Sequence, residues 1–317
     1  MIAAGGGIPA VRTAEVDRPE PLADQIIVSV TAYSINRGET FLLERPPTGW
    51  RPGKDVIGRI AALGAGVTAF SIGQRVLAHP EQGGWAEQVA VPVSRVARLP
   101  DSVPDTTAAP LPLAGLTALR LTRVCGPLAS RRLLITGASG GVGHYLTELA
   151  AQQGCQVTAV TASPQRGRSL LALGACAVVQ HVEDATGAFD VAIESVGGDS
   201  LAASWSKLRP DGLLIWMGQA SRHPPTLDFF DWRGGTSGTL RRFPNLSRST
   251  IVCGTQLRGR SVLVGASGRR SAIGTASWCL TRRALRMASD ARRSTRFVTT
   301  QCHRGRVGNL LKAITEE

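Results

Sequence analysis

Residues 131–153 read RRLLITGASGGVGHYLTELAAQQ. Arg131 to Thr136 has the length and apolar content of a buried strand, Gly137 to Gly143 is a glycine-rich turn, and His144 to Gln153 continues as a helix. Strand, glycine turn and helix in that order form a dinucleotide cradle. Gly140 lets the backbone approach a pyrophosphate and Gly143 lets the helix lie close against the strand. The helix N-terminus turns its unpaired N–H groups toward the phosphates. The candidate contacts are therefore Ala138, Ser139, Gly140, Gly141, Val142 and Gly143. A tight turn without ligand is the competing reading, and for Ser139 a place in the phosphate turn fits better than nucleophilic attack.

Downstream, apolar segments alternate between strand and helix. Strands are expected at 156–161, 177–180, 189–195 and 213–217, with helices near 166–173 and 200–208. Such alternation implies a doubly wound parallel sheet covered on both faces. An NAD-selective site places an acid at the end of the second strand to hold the ribose hydroxyls. This chain has Thr161 there, followed by Ser163, Arg166 and Arg168. A hydroxyl and guanidinium groups with no carboxylate suit a 2'-phosphate, so NADPH is expected over NADH. The alternative is that Arg166 and Arg168 are solvated helix residues. Open parallel sheets bind ligands at the carboxyl ends of their strands, which adds Ser195, Val196, Gly197, Met217 and Gly218 to the candidate cofactor contacts.

Upstream, short β-branched runs near 26–30, 56–63, 74–78 and 86–91 are separated by Gly and Pro, the pattern of a small β-barrel. Leucines and alanines between Asp105 and Val124 recur near helical spacing, interrupted by Pro110 and Pro112, and read as a helix crossing between domains. The 317 residues thus divide into a β-rich domain over 1–110, a dinucleotide fold over 111–243, and a remainder over 244–317. The six cysteines share no CxxC spacing, which argues against structural zinc and against a disulfide framework. No apolar run has the length of a membrane helix, and no basic leader precedes a hydrophobic stretch, so the expected location is cytoplasmic.

The net charge of +13 is confined to one end. Residues 1–239 carry 20 basic and 20 acidic side chains, and residues 240–317 carry 16 and 3. Between 244 and 289 there is no acid at all and no sustained period. Three explanations compete: a basic arm that binds nucleic acid, a divergent folded end, and a segment translated in a shifted reading frame. The abrupt change of composition near residue 243 favours the third.

Several segments between 26 and about 220 carry a family resemblance: Asn36-Arg37-Gly38-Glu39, Pro52-Gly53-Lys54-Asp55-Val56-Ile57-Gly58, Leu63-Gly64-Ala65-Gly66-Val67, Gly73-Gln74-Arg75-Val76, Gly84-Trp85-Ala86-Glu87, Leu113-Ala114-Gly115-Leu116-Thr117-Ala118 and the glycine turn. In this order they resemble the medium-chain dehydrogenase/reductase superfamily, in its zinc-independent quinone oxidoreductase branch. The resemblance implies an α/β architecture, a GroES-like β-barrel domain followed by a Rossmann domain. It also implies that the positions of the zinc-dependent members' three catalytic ligands are taken by Asn36, Lys54 and Leu113, none of them a thiolate or imidazole.

Without a Lewis acid, reduction of a quinone or an α,β-unsaturated carbonyl demands less than alcohol oxidation. The resemblance therefore implies an NADPH-dependent reductase of such substrates, with a pocket between the domains and a homodimer as the common assembly. It puts Asn36 in the pocket as a hydrogen-bond donor, against the alternative of a loop cap. Tyr33, three residues earlier, either donates a proton or fills the core. Lys54 either stabilises an oxyanion or pairs with Asp55 or Glu39. Thr117 corresponds to a cofactor contact near the nicotinamide, or else simply opens a helix. Two other functions compete: a ketone or enoyl reductase in a biosynthetic pathway, and a cofactor-binding protein of little activity whose basic tail binds nucleic acid.

Overall fold

The computed structural model describes residues 1–4, 10–227 and 237–243, so the readings made for 244–317 lie outside the described residues. Two compact units divide between Leu113 and Ala114.

The first unit opens with a two-stranded ribbon, β1 (Ile2–Ala3) and β2 (Val11–Arg12). Then come β3 (Gln25–Tyr33), α1 (Arg37–Leu42), β4 (Val56–Leu63), β5 (Arg75–Ala78), β6 (Gln88–Pro92), β7 (Val96–Arg98) and α2 (Asp105–Ala108). Strands β3 to β7 form one antiparallel sheet in the order β6-β3-β4-β5-β7. Two register shifts between β3 and β4 bend it. Ile26, Val28, Val56, Val76, Val91 and Val96 are fully buried on the core side. Each such side chain contributes about 1.5–3 kcal/mol on leaving water. The sheet is tied to α2 by the Arg75 guanidinium, which pairs with Asp105 and donates to the Pro100 carbonyl at 2.8 Å. Thr31 adds a hydrogen bond to Asp105 at 2.7 Å.

The expected single helix over 105–124 is broken. After α2 the chain makes a five-residue π-turn over Leu111–Gly115 and only then enters α3 (Leu116–Cys125). Pro110 and Pro112 each lack an N–H, so a regular α ladder cannot pass through them.

The second unit continues with β8 (Arg132–Ile135), α4 (Gly141–Gln152), β9 (Gln156–Val160), α5 (Pro164–Ala172), β10 (Ala177–Val179), β11 (Phe189–Glu194), α6 (Asp199–Ser206), β12 (Leu208–Trp216) and β13 (Gly238–Arg242). All six strands are parallel, in the order β10-β9-β8-β11-β12-β13. In chain order this is 3-2-1-4-5-6, the doubly wound arrangement the sequence pattern predicts. Helices α3, α4 and α5 lie side by side while α6 packs on β11 and β12. Right-handed crossovers put α6 on the opposite face of the sheet from α4 and α5. The order reverses between β8 and β11, and there the ends of two adjacent strands diverge. Strand β13 adds a sixth member just before the compositional break near 243.

Candidate functional site

The switch point lies where β8 and β11 end. Gly140 is the N-cap of α4, in extended conformation and exposed. The first-turn N–H groups of Gly141, Val142 and Gly143 have no intrahelical acceptor. Gly143 cannot be anything else: a Cβ there would lie 2.3 Å from the Ala138 carbonyl oxygen, where α4 presses on the turn. At Gly140 a Cβ would meet only the Gly137 carbonyl, at 3.1 Å, so the surface over it is open. An open, glycine-lined cradle at a helix N-terminus is what a diphosphate needs, and the residues present fit that group.

Buried Glu194 builds the opposite wall. Its Oε1 accepts from the Thr136 hydroxyl at 3.0 Å and the Val196 N–H at 3.0 Å, and its Oε2 accepts from the Gly197 N–H at 2.9 Å. Ser195 donates to the Thr136 carbonyl at 2.9 Å, joining the ends of β11 and β8. The Met217 N–H donates to the Glu194 carbonyl at 2.8 Å, and Gly218 follows against Ser195. The structure thus brings Ala138, Ser139, Gly140, Gly141, Val142, Gly143, Ser195, Val196, Gly197, Met217 and Gly218 to one rim. Ala114 of the π-turn approaches Gly141, and Thr117 is buried in the first turn of α3 beyond it.

The third strand end on this rim is that of β9. Thr161 is buried, and its hydroxyl donates to the Ser139 Oγ at 2.7 Å. That hydroxyl is therefore spent on shaping the loop, which corrects its expected role as an outward-facing ligand. Ser163 caps α5 by accepting from the Arg166 N–H at 3.4 Å, and the Arg166 side chain is exposed. The α5 end thus offers a cation and no carboxylate.

The first unit holds a different cluster. The pairings Tyr33↔Val56 and Val56↔Ala78 put the ends of β3, β4 and β5 at one edge of the sheet. The residues just beyond, Ser34, Asp55 and His79, consequently converge. Fully buried Asp55 accepts from the Ser34 hydroxyl at 2.6 Å and the Asn36 amide at 2.8 Å through Oδ2. Its Oδ1 lies 3.3 Å from His79 Nδ1.

Glu39 completes the group from α1. Its Oε2 accepts from the Asn36 backbone N–H at 2.9 Å and from the Asn36 Nδ2 at 3.3 Å, and its Oε1 accepts from the Gly53 N–H at 2.8 Å. Gly53 reaches it only because φ is +115° and Trp85 N–H sits where a Cβ would be. Burial, followed by the nearby Asp55 charge, pushes the Glu39 carboxyl up to about 7 against its hydrogen bonds.

These contacts revise the catalytic candidates. Asn36 Nδ2 has two protons and both point at carboxylates, so its amide is not free to donate to a substrate oxygen. It caps α1 instead, and the Asn-x-x-Glu spacing of residues 36–39 was the signal for that helix. Tyr33 stacks on Trp85 with ring centroids 5.6 Å apart, and burial pushes its phenol up to about 12. It is a core residue. Lys54 is half-buried and forms no ion pair with Asp55 or Glu39. The histidines, which look isolated in sequence, include two that are built into networks, His79 here and His144 beside the glycine loop. Among the described residues no group of three or more His, Cys, Asp or Glu could hold a metal ion, and no helix is long and apolar enough to cross a membrane.

Residues 22–101 match a family profile described as the alcohol dehydrogenase GroES-like domain, and residues 141–242 match one described as zinc-binding dehydrogenase. A probable quinone oxidoreductase of Schizosaccharomyces pombe is 30% identical over 224 residues, covering 67% of this chain and 68% of that protein. A chloroplast envelope quinone oxidoreductase homolog of Arabidopsis thaliana is 32% identical over 195 residues, 56% of this chain and 58% of that one. Among solved structures, a mycobacterial protein complexed with NADPH superposes with a TM-score of 0.70 at 26% identity, over 77% of this chain and 80% of that chain. A Pseudomonas syringae quinone oxidoreductase gives the same TM-score of 0.70 at 24% identity, over 77% and 80%, a likeness of fold. The chain spans little more than half the length of some of the curated relatives it matches.

Proposed function

Because the chain belongs to the quinone oxidoreductase-like branch of the medium-chain dehydrogenase/reductase superfamily, we propose that it is an NADPH-dependent reductase of quinones or α,β-unsaturated carbonyls. The observation that carries this reading is the open glycine cradle at the β8/β11 switch point, beside a second strand that ends on Thr161 instead of an acid. When bound, the nicotinamide supplies the hydride. The chain's own part is to bind and orient. The first-turn N–H groups of α4 hold the diphosphate, and the positive end of the helix favours its charge. Ser163 and Arg166 hold the 2'-phosphate as hydroxyl and guanidinium donors.

Asn36 gives its amide protons to two carboxylates and Tyr33 is packed into the core against Trp85, which leaves the half-buried Lys54 for the substrate oxygen. Its ammonium supplies the hydrogen bond that steadies the oxygen as negative charge develops. Asn36, Glu39 and Asp55 hold the neighbouring backbone in place. The donor set at the three positions of the zinc-dependent members, Asn36, Lys54 and Leu113, contains no thiolate or imidazole and does not suit zinc.

A ketone or enoyl reductase of a biosynthetic pathway remains the second reading, favoured by 32% identity over 233 residues to a segment, 6% of the length, of an erythronolide synthase of Saccharopolyspora erythraea. The test is equilibrium binding of NADPH and NADH to the purified full chain, followed by oxidation of NADPH in the presence of a quinone or an enone. NADPH binds more tightly and at least one acceptor oxidises it. Preference for NADH overturns the cofactor assignment, and the absence of any nucleotide binding overturns the enzyme. Lys54→Met lowers kcat by about tenfold or more while NADPH affinity is kept. An unchanged kcat removes Lys54 from the reaction.

A further inference from the structure

His144 is 3% exposed, in the first turns of α4, and the chemistry proposed above makes no use of it. Its Nδ1 lies 3.2 Å from the Gly140 carbonyl and its Nε2 lies 2.9 Å from the Ser169 hydroxyl of α5. The Ser169 oxygen also stands 3.2 Å from the Arg166 carbonyl, one turn back along the same helix. Arg166 in turn donates its N–H to Ser163 at 3.4 Å. One imidazole therefore bridges the residue that opens the phosphate cradle and the helical turn that carries Ser163 and Arg166.

We infer that His144 is a positioning residue for cofactor selectivity: through Ser169 it holds the start of α5 at the distance from the glycine loop at which one ligand can be gripped by both its diphosphate and its 2'-phosphate. This rests on the NADPH reading above and adds the device that couples its two binding ends.

The proton can be assigned from the contacts. A carbonyl only accepts, so Nδ1 carries the hydrogen that meets Gly140. Burial lowers the His144 pKa to about 4, so the ring is neutral at pH 7 and Nε2 is left with a lone pair. The single Ser169 proton turns to that lone pair at 2.9 Å rather than to the Arg166 carbonyl at 3.2 Å. A neutral bridge adds no charge near the anion and is unaffected by pH between 6 and 8. It fixes geometry alone.

A merely structural role would weaken both nucleotides alike, whereas a coupling role weakens only the one that bears a 2'-phosphate. Ser169→Ala in the full chain deletes the bridge with little change of volume. It is expected to weaken NADPH binding about fivefold, the worth of one hydrogen bond, and to leave NADH within about twofold. Ser169→Thr keeps the hydroxyl and restores the preference. A parent protein that binds neither nucleotide, or binds NADH better, removes the cofactor reading itself. A parent that prefers NADPH, with a Ser169→Ala variant of unchanged preference or of equal loss for both nucleotides, removes the His144 inference and leaves that reading standing.

Discussion

Two buried glutamates among the described residues sit in different units, Glu194 at the end of β11 and Glu39 in the first turn of α1, and their surroundings differ in sign. Glu194 meets only donors: a hydroxyl and two backbone N–H groups from the loop it shapes. Glu39 meets donors too, but shares one of them, the Asn36 amide, with the carboxylate of Asp55. The first is a clamp that fixes a loop. The second is a strained arrangement in which burial and a neighbouring charge resist ionisation. The comparison teaches that a buried acid ringed by donors serves as a backbone clamp, while a buried acid that shares its donor with a second carboxylate couples structure to pH.

The largest way to break the glycine-loop side is at its tightest contact. Gly143→Val puts a branched Cβ against the Ala138 carbonyl with no flexible side chain to yield, and is expected to cost more than about 4 kcal/mol. Thermal denaturation should show the second unit melting far earlier, with nucleotide binding lost. Gly140→Ala is the control, since its Cβ enters the open cradle: the fold survives and nucleotide binding weakens. Equal melting temperatures for the two variants would refute the packing argument. Glu194→Ala comes next. It orphans three donors at once and is expected to cost about 3 kcal/mol, together with nucleotide affinity, because Val196 and Gly197 lose their acceptor.

The glycine side was legible in the sequence and the acid cluster was not, for a physical reason. Gly137 to Gly143 act together because they are contiguous: one turn supplies the approach, the packing and the helix end. Ser34, Asp55 and His79 are separated by dozens of residues, and only the register of β3, β4 and β5 brings them to one edge. Residue types near Asn36 marked a polar segment, but whether its amide is free depends on two acceptors that no spacing reveals. The one local signal, Asn36 with Glu39 three residues on, marks a helix cap, the alternative that stands beside a pocket donor in the sequence. His144 is similar: its partner Ser169 lies across a helix pair, and the sequence shows a lone histidine.

Glu39→Gln tests the pH side. In the parent the folded carboxyl has its pKa near 7, above the unfolded value of 4.5, so the folded state binds the extra proton between those limits. Stability is therefore highest below about pH 4.5 as far as this group is concerned, falls as pH rises toward 7, and levels off above it. The drop is roughly 3 kcal/mol, from the pKa difference. Glutamine cannot ionise, so denaturant midpoints of the variant at pH 5 and pH 8 should lie closer together than those of the parent. A parent with the same midpoint at both values would show that burial and the Asp55 charge do not hold the Glu39 carboxyl above its ordinary range.

The smallest effect lies between these extremes, at the junction of loop and second strand. Thr161 and Ser139 exchange one buried hydrogen bond of 2.7 Å and no charge. Thr161→Val keeps the shape and removes the donor, leaving the Ser139 hydroxyl to turn elsewhere. The expected loss is about 1 kcal/mol, a shift of roughly 2–4 °C in the melting temperature of a unit this size. If Thr161 only shapes the loop, NADPH and NADH weaken together and by the same small factor. Had its hydroxyl instead reached a ribose or a 2'-phosphate, the two nucleotides would part company in this variant. Parallel binding isotherms distinguish the two, because the buried donor is either committed to Ser139 or available to the ligand.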